Sequence, residues 1–244
     1  MTLYHGGKYR HGKEIADVIK RIYDNHEDRI QGYIEPFCGM CGVFRHIPNL
    51  LPNRLKFKAS DQHKSLILMW KALQNGWIPP KDCNISWYEK LKYSKPSPEK
   101  GFVGFGCSFG GVYFGGFLKT YGKPYPNIHN TLEIAKTVSI VKFNQNTYLY
   151  YTPKNTKGYI IYCDPPYTNI KHSRYFIDDD STMQISHFDS TEFWAWCRTM
   201  SKYNIVLISE YSAPKDFQIV HTFDSKRYGN TQNEHIFMYK NYFN

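Results

Sequence analysis

GYIIYCDPPYTN, residues 158–169, decides how the rest of the chain is read. Tyr159 to Cys163 are β-branched, aromatic or thiol without a break, the pattern of a strand buried on both faces of a parallel sheet. Pro165 and Pro166 then force the chain out, because proline gives no N–H to a ladder and biases the residue before it to extended backbone. The strand therefore ends at Asp164, followed by main-chain carbonyls without intra-sheet donors and by Tyr167. In open α/β sheets ligands bind beyond the carboxyl ends of strands, so the stretch reads as a site. Asp and Pro are also ordinary turn residues, and a plain turn is the competing reading.

The flanking sequence supplies the rest of such a sheet. Ile15, Val18, Ile19 and Ile22 share one face of a helix that follows Gly12. QGYIEPF reads as a strand running into a glycine-rich loop, with a short helix to about Phe44. LKFKASD is a second strand ending at Asp61, and HKSLILMWKALQNG an amphipathic helix closed by Gly76. Glycines at 39 and 42 let backbone approach a ligand, and Asp61, 22 residues beyond Gly39, has the spacing of an acid that takes ribose hydroxyls. A helix N-cap is the alternative role for Asp61. No G-x-x-x-x-G-K-[ST] occurs, which argues against an ATPase.

Further on, a helix near 130–139 and two short strands lead back to Tyr159. After a loop from Thr168 to His187, Asp189 and Glu192 form a capping box for a helix carrying Phe193, Trp194 and Trp196. NIVLISE, FQIVHTF and EHIFMYK are three strands, the last two fit for an antiparallel edge. Between them, residues 77–135 break the alternation with a Lys- and Pro-rich stretch and a Gly-aromatic run, Phe102 to Phe117. They read as an inserted, partly irregular lobe, and 1–76 with 136–244 as the α/β domain proper.

The 244 residues carry 31 Lys and Arg against 21 Asp and Glu, a net charge of +10, with 17% aromatics. A basic surface with many planar rings points to nucleic acid. No apolar run is long enough to span a bilayer and no charged segment precedes one at the N-terminus, so a soluble, cytoplasmic protein is expected, with no membrane partner. Six scattered cysteines suit a reducing compartment. Cys38 and Cys41 form a C-x-x-C without a second close pair, and no metal is expected there. A monomer is expected, with a dimer left open.

Five stretches in order, YHGGKYRHGK, EPFCGMCGVF, SDQHKSLILMWKAL, CDPPY and FWAWCRTMSKYNIVLISEYSAP, resemble the D12-class DNA adenine-N6 methyltransferases, the family of the bacterial Dam enzymes. The resemblance runs from Tyr4 to Lys240. It implies S-adenosyl-L-methionine as cofactor, double-stranded DNA as substrate, and a Rossmann-like methyltransferase sheet of about seven strands with a target-recognition lobe before the Asp-Pro-Pro-Tyr strand. It further implies cofactor contacts from Tyr4, Lys8, Glu35, Phe37, Gly39 and Asp61, with Asp164 shared between cofactor and target amine. One departure stands in the loop, where Cys41 occupies the place of the family's second glycine and lacks its dihedral freedom.

Asp-Pro-Pro-Tyr suits methyl transfer to an exocyclic amine. The lone pair of adenine N6 is delocalised, and acceptors aimed at both of its hydrogens free that lone pair for in-line attack. The Asp164 carboxylate and the Pro165 carbonyl are candidates for those acceptors, Pro166 adds rigidity, and Tyr167 is placed to stack on a flipped base. Cytosine N4 offers the same chemistry, an RNA or protein-glutamine methyltransferase is a further alternative, and a catalytically inactive nucleic-acid-binding relative is the reading from outside the enzymes. The lobe has lysines but no arginine between Arg54 and Arg174, so guanine reading by Arg is expected to be weak. Phe109, Tyr113 and Phe114 are candidate wedges into the base stack. Lys119, Lys123 and Arg174 are candidate DNA contacts.

Overall fold

The computed structural model describes residues 6–118, 128–166, 188–224 and 233–242, together with the backbone of 175–178 and 183–186. Its centre is a seven-stranded sheet with the order β3-β2-β1-β4-β7-β9-β8. Strands β1 (Gly32–Glu35), β2 (Lys56–Asp61), β3 (Lys142–Gln145), β4 (Tyr159–Cys163) and β7 (Ile205–Glu210) run parallel. The antiparallel strand is β9 (His235–Tyr239), and it is internal: it pairs with β7 on one side and with β8 (Phe217–Thr222) on the other, so β8 is the edge.

Helices α1 (Gly12–Asp24), α2 (Lys64–Gln74) and α5 (Ile128–Thr137) pack their apolar faces into one large cluster on one side of the sheet. On the other side α6 (Ser190–Ser201) presses Phe193, Cys197 and Met200 onto β4 and β7 in a second cluster. Asp189 caps α6 by accepting from the N–H groups of Thr191 and Glu192. Glu192 accepts at 3.3 Å from the Tyr148 hydroxyl, a bond the capping-box pattern does not foretell.

Several expectations are corrected. One strand, β3, and a 3-10 turn at Tyr148–Tyr150 stand where two strands were expected before β4. Within the expected loop from Thr168 to His187, β5 (Tyr175–Asp178) and β6 (Met183–Ser186) pair antiparallel. The helix after the glycine loop starts at Phe44 instead of ending there, as a 3-10 segment, Phe44–Asn49.

Residues 77–118 are more regular than their composition suggests. They form α3 (Ile85–Lys92) and α4 (Pro98–Gly106), capped by Asn84 and Ser97. Helix α4 lies tight against α2, because a Cβ added at Gly101 would stand 2.3 Å from the Ser65 carbonyl oxygen. The Gly-aromatic run is accordingly internal: Phe102, Val103, Phe105, Tyr113 and Phe114 belong to the cluster that fills the first side of the sheet. Tyr113 and Phe114 are 3% and 4% exposed, so they are not surface rings ready to enter a base stack, whereas Phe109 is 73% exposed.

Candidate active site

The strand order reverses at β1, which has β2 on one side and β4 on the other. A cleft opens at the carboxyl ends of these three strands, where such crevices take ligands. It holds about 270 Å³ and is lined by the last residue of β1, Glu35, the last of β2, Asp61, and the first beyond β4, Asp164. The glycine loop Phe37–Gly42 forms its floor, held to β2 by the Cys38 N–H donating to the Ser60 carbonyl at 3.0 Å and to α2 by Trp70 Nε1 donating to the Gly39 carbonyl at 3.0 Å.

Each acid has a different environment. Asp61 accepts from the Gly39 N–H at 3.1 Å through Oδ2 and from the His63 N–H at 3.0 Å through Oδ1. It is not the cap of α2; that role falls to His63, whose Nδ1 accepts from the Leu66 N–H. Burial raises the Asp61 pKa, and the backbone donors oppose the rise. Glu35 is 3% exposed and accepts from the Tyr33 hydroxyl at 2.7 Å. Its pKa is pushed well above the usual carboxylate range by burial, against the Tyr33 hydrogen bond and with a further push from Asp164.

Asp164 is paired with Lys8, whose Nζ stands 2.7 Å from Oδ1, and the same ammonium reaches Glu234 Oε1 at 3.2 Å. Burial works against the Lys8 charge, but the pull of Asp164 and Glu234 outweighs it and leaves the pKa raised, so the ammonium stays charged. Glu234 immediately precedes β9 and is invisible to motif reasoning, because its partner lies at the other end of the chain. Tyr148 is another residue the sequence did not single out. It stacks on Phe37, with centroids 5.6 Å apart, and Phe188 meets both rings edge-on. Its one signal is position: it follows the carboxyl end of β3.

Cys41 takes the left-handed backbone foreseen as glycine's, with φ of 55°, which costs an L-residue about 1 kcal/mol. Gly42 has a different task, since a Cβ there would press to 3.1–3.3 Å on the backbone of Lys8 and Tyr9. Cys38 and Cys41 share a thiol hydrogen bond, and burial raises both pKa values, so neither is a poised thiolate. Among the described residues no group of three or more His, Cys, Asp and Glu is arranged to hold a metal ion.

Lys8, Glu35, Phe37, Gly39, Asp61, Asp164, Pro165 and Pro166 all line this cleft. Tyr4, Tyr167, Lys119, Lys123 and Arg174 lie outside the described residues. Phe109, on a loop at the far end of α4, is not part of the cleft lining.

Fold and cleft together define an α/β protein with a nucleoside-sized site at the switch point of its sheet. A model of the D12 class N6 adenine-specific DNA methyltransferases matches residues 4–104, from the N-terminal segment through the glycine loop and Asp61 into α4. The match supports a methyltransferase, with S-adenosyl-L-methionine as the methyl donor. Among solved structures it is similar to a putative methylase of Haemophilus influenzae (8% identity, 93% of this chain and 98% of that one, TM-score 0.39). It is also similar to the rRNA methyltransferase AviRa of Streptomyces viridochromogenes (11% identity, 89% and 82%, TM-score 0.37). No curated protein matches it in sequence.

The residues present fit this cofactor. In a chain of net charge +10 the cleft is lined by Asp61, Asp164, Asp189 and Glu192 against Lys8, a field that favours a cationic ligand such as a sulfonium with an amino-acid ammonium. The Phe37–Tyr148 pair offers rings for an adenine face.

The buried Glu35 makes a prediction. An acid whose folded pKa is raised keeps its proton in the native state while the unfolded chain releases it, so stability falls as pH rises from the usual glutamate value toward the folded one. Glu35→Gln removes that loss while keeping an acceptor for Tyr33. The difference in melting temperature, variant minus wild type, is expected to grow as pH rises above the usual glutamate range. Parallel pH profiles of the two proteins would show that Glu35 is not a buried acid.

Proposed function

We propose that this methyltransferase acts on N6 of adenine in double-stranded DNA, on a base flipped into the cleft. The observation that carries the reading is Asp164: a carboxylate at the end of β4, ahead of two prolines, fixed by Lys8 and facing the same cleft as Asp61 and Glu35. The cofactor supplies a methyl on a sulfonium, with its leaving group built in. Asp164 and the Pro165 carbonyl accept from the two hydrogens of the target amine, and their pull strengthens as positive charge develops on nitrogen. Lys8 holds the carboxylate in place, and Glu234 holds Lys8. The proton leaves the amine after attack, so no group with a pKa near neutrality is required beforehand. Tyr167 follows Pro166 directly and stacks on the flipped base.

Asp61 offers its carboxylate to ribose hydroxyls while it anchors the glycine loop. Residues 77–135 form the target-recognition lobe, with Phe109 as an exposed ring and lysines as phosphate contacts. Mass spectrometry of nucleosides from DNA treated with the protein and S-adenosyl-L-methionine tests the assignment. N6-methyladenine is expected; N4-methylcytosine alone, or methylation of RNA but not DNA, would overturn it.

A further inference from the structure

Among the described residues, the amino ends of β2 and β3 are covered on one side only. Phe57, Ala59 and Phe143 point into the cluster under α2. Their neighbours in the strands must point the other way, where α6 and the Tyr148–Tyr151 turn cover β4, β7 and the carboxyl-end part of the sheet, and leave the amino ends of β2 and β3 open among the described residues. Those neighbours are Lys56, Lys58 and Lys142. Lys58 and Lys142 are register partners on adjacent strands, an arrangement in which like charges directly opposite one another destabilise a sheet. Lys154 and Lys157, on the turn that leads into β4, project over the same surface and complete a hollow. No Asp or Glu lines it, and among the described residues none of the five lysines has a carboxylate partner. The nearest relief is aromatic: Lys58 Nζ lies 4.7 Å from the centroid of the Tyr159 ring and Lys157 Nζ 5.0 Å from that of Tyr203.

The geometry points to a second polyanion site, one that takes the phosphate backbone of duplex DNA away from the cleft. Five ammonium groups with no carboxylate among them on one concave surface repel one another, and an extended row of phosphates removes that repulsion. Lysine suits this task because it grips phosphate as a flexible point charge and reads no base. A single-strand site would also need exposed rings to stack bases, but the ring in this hollow, Tyr159, is 4% exposed and already under Lys58. A lipid surface would need apolar side chains to insert, and only Ile140 is both exposed and apolar here. The hollow sits toward the amino ends of the strands and the cleft at their carboxyl ends. From Lys56 to Asp61 along β2 is five residues, about 16 Å of strand. On the reading that the cleft methylates DNA, the DNA held here is a segment flanking the target, brought round by bending, and a short duplex does not fill hollow and cleft together.

The test is fluorescence anisotropy with random-sequence duplexes of about 40 and about 14 base pairs, across a salt series, for the wild type and for Lys58→Gln/Lys142→Gln/Lys157→Gln. The triple variant is expected to bind the long duplex at least about ten-fold more weakly at low salt, with a log–log salt slope shallower by about 2 to 3. Affinity for the short duplex is expected to fall less than that for the long one, and methyl transfer to it to be unchanged. Its melting temperature is expected not to fall, since repulsion has been removed. If the sheet positions disturb folding, Lys154→Gln/Lys157→Gln on the turn reads the same loss in smaller measure. Equal affinity of wild type and both variants for the long duplex would overturn the proposal. So would a loss confined to single-stranded RNA or to anionic vesicles, which would assign the hollow to those ligands. Binding is read without catalysis, so a wrong base assignment for the cleft leaves this measurement intact.

Discussion

Asp164→Ala is expected to lower turnover by at least about 10²- to 10³-fold, the usual loss when a preorganised acceptor is removed from a developing charge. The fold is expected to survive, because Asp164 lies one residue past the last strand pair of β4, Cys163 with Ile208, and its side chain is 18% exposed. Lys8 keeps Glu234 at 3.2 Å, so the variant does not strand an uncompensated buried ammonium. Affinity for S-adenosyl-L-methionine is also expected to fall if, as proposed, the cofactor binds in the cleft that this carboxylate lines. Asp164→Asn retains one acceptor oxygen and the side-chain shape but gives up the charge, so its turnover is expected between those of Ala and wild type. Single-turnover rates with calorimetric cofactor binding separate the two effects. A turnover within about ten-fold of wild type for Asp164→Ala would mean that another group frees the amine lone pair.

What the sequence made legible was whatever depends on neighbours along the chain. Strands β1, β2 and β4 end at or just before Pro36, Asp61 and Asp164, and Asp189 caps α6 as its position before a helical pattern requires. The meeting of Glu35, Asp61 and Asp164 was also accessible, since parallel strands bring their carboxyl ends to one edge. Contacts between distant segments were not. Nothing in residues around 234 announces a partner at Lys8, and Tyr148 is an ordinary aromatic until Phe37 is placed against it. The position of Cys41 was legible as a glycine place, and the structure adds that the chain keeps the left-handed turn with a thiol in it.

Helix α4 is the instructive failure, and it carries the second large prediction. Its start signal stands in the sequence as Ser97, Pro98 and Glu99, with the Ser97 hydroxyl accepting from the Lys100 N–H at 3.1 Å. The signal is masked by Gly101, Gly104 and Gly106, which lower helix propensity by about 1 kcal/mol each and suggest a loop. Tertiary packing overrides that cost: the missing Cβ at Gly101 lets α4 settle on the α2 backbone, where the nearest atoms would be the Ser65 carbonyl oxygen at 2.3 Å and its carbon at 2.7 Å. Main chain cannot swing aside as a side-chain end can. Gly101→Val is therefore expected to prise α4 from α2, loosen Phe102, Val103 and Phe105 from the core, and cost more than about 3 kcal/mol. Gly104→Ala meets ring atoms of Tyr113 and Phe114 at 2.3–2.7 Å and is expected to cost less, since rings can shift. Gly110, with open space around its Cβ but φ of 62°, isolates the backbone effect: Gly110→Ala is expected to cost only about 1 kcal/mol. Urea midpoints of the three variants give the ranking, 101 first, then 104, then 110. A Gly101→Val protein with a near wild-type midpoint would show that α4 does not need this close approach, and the tight α2–α4 contact would cease to explain why a glycine-rich segment folds as a buried helix.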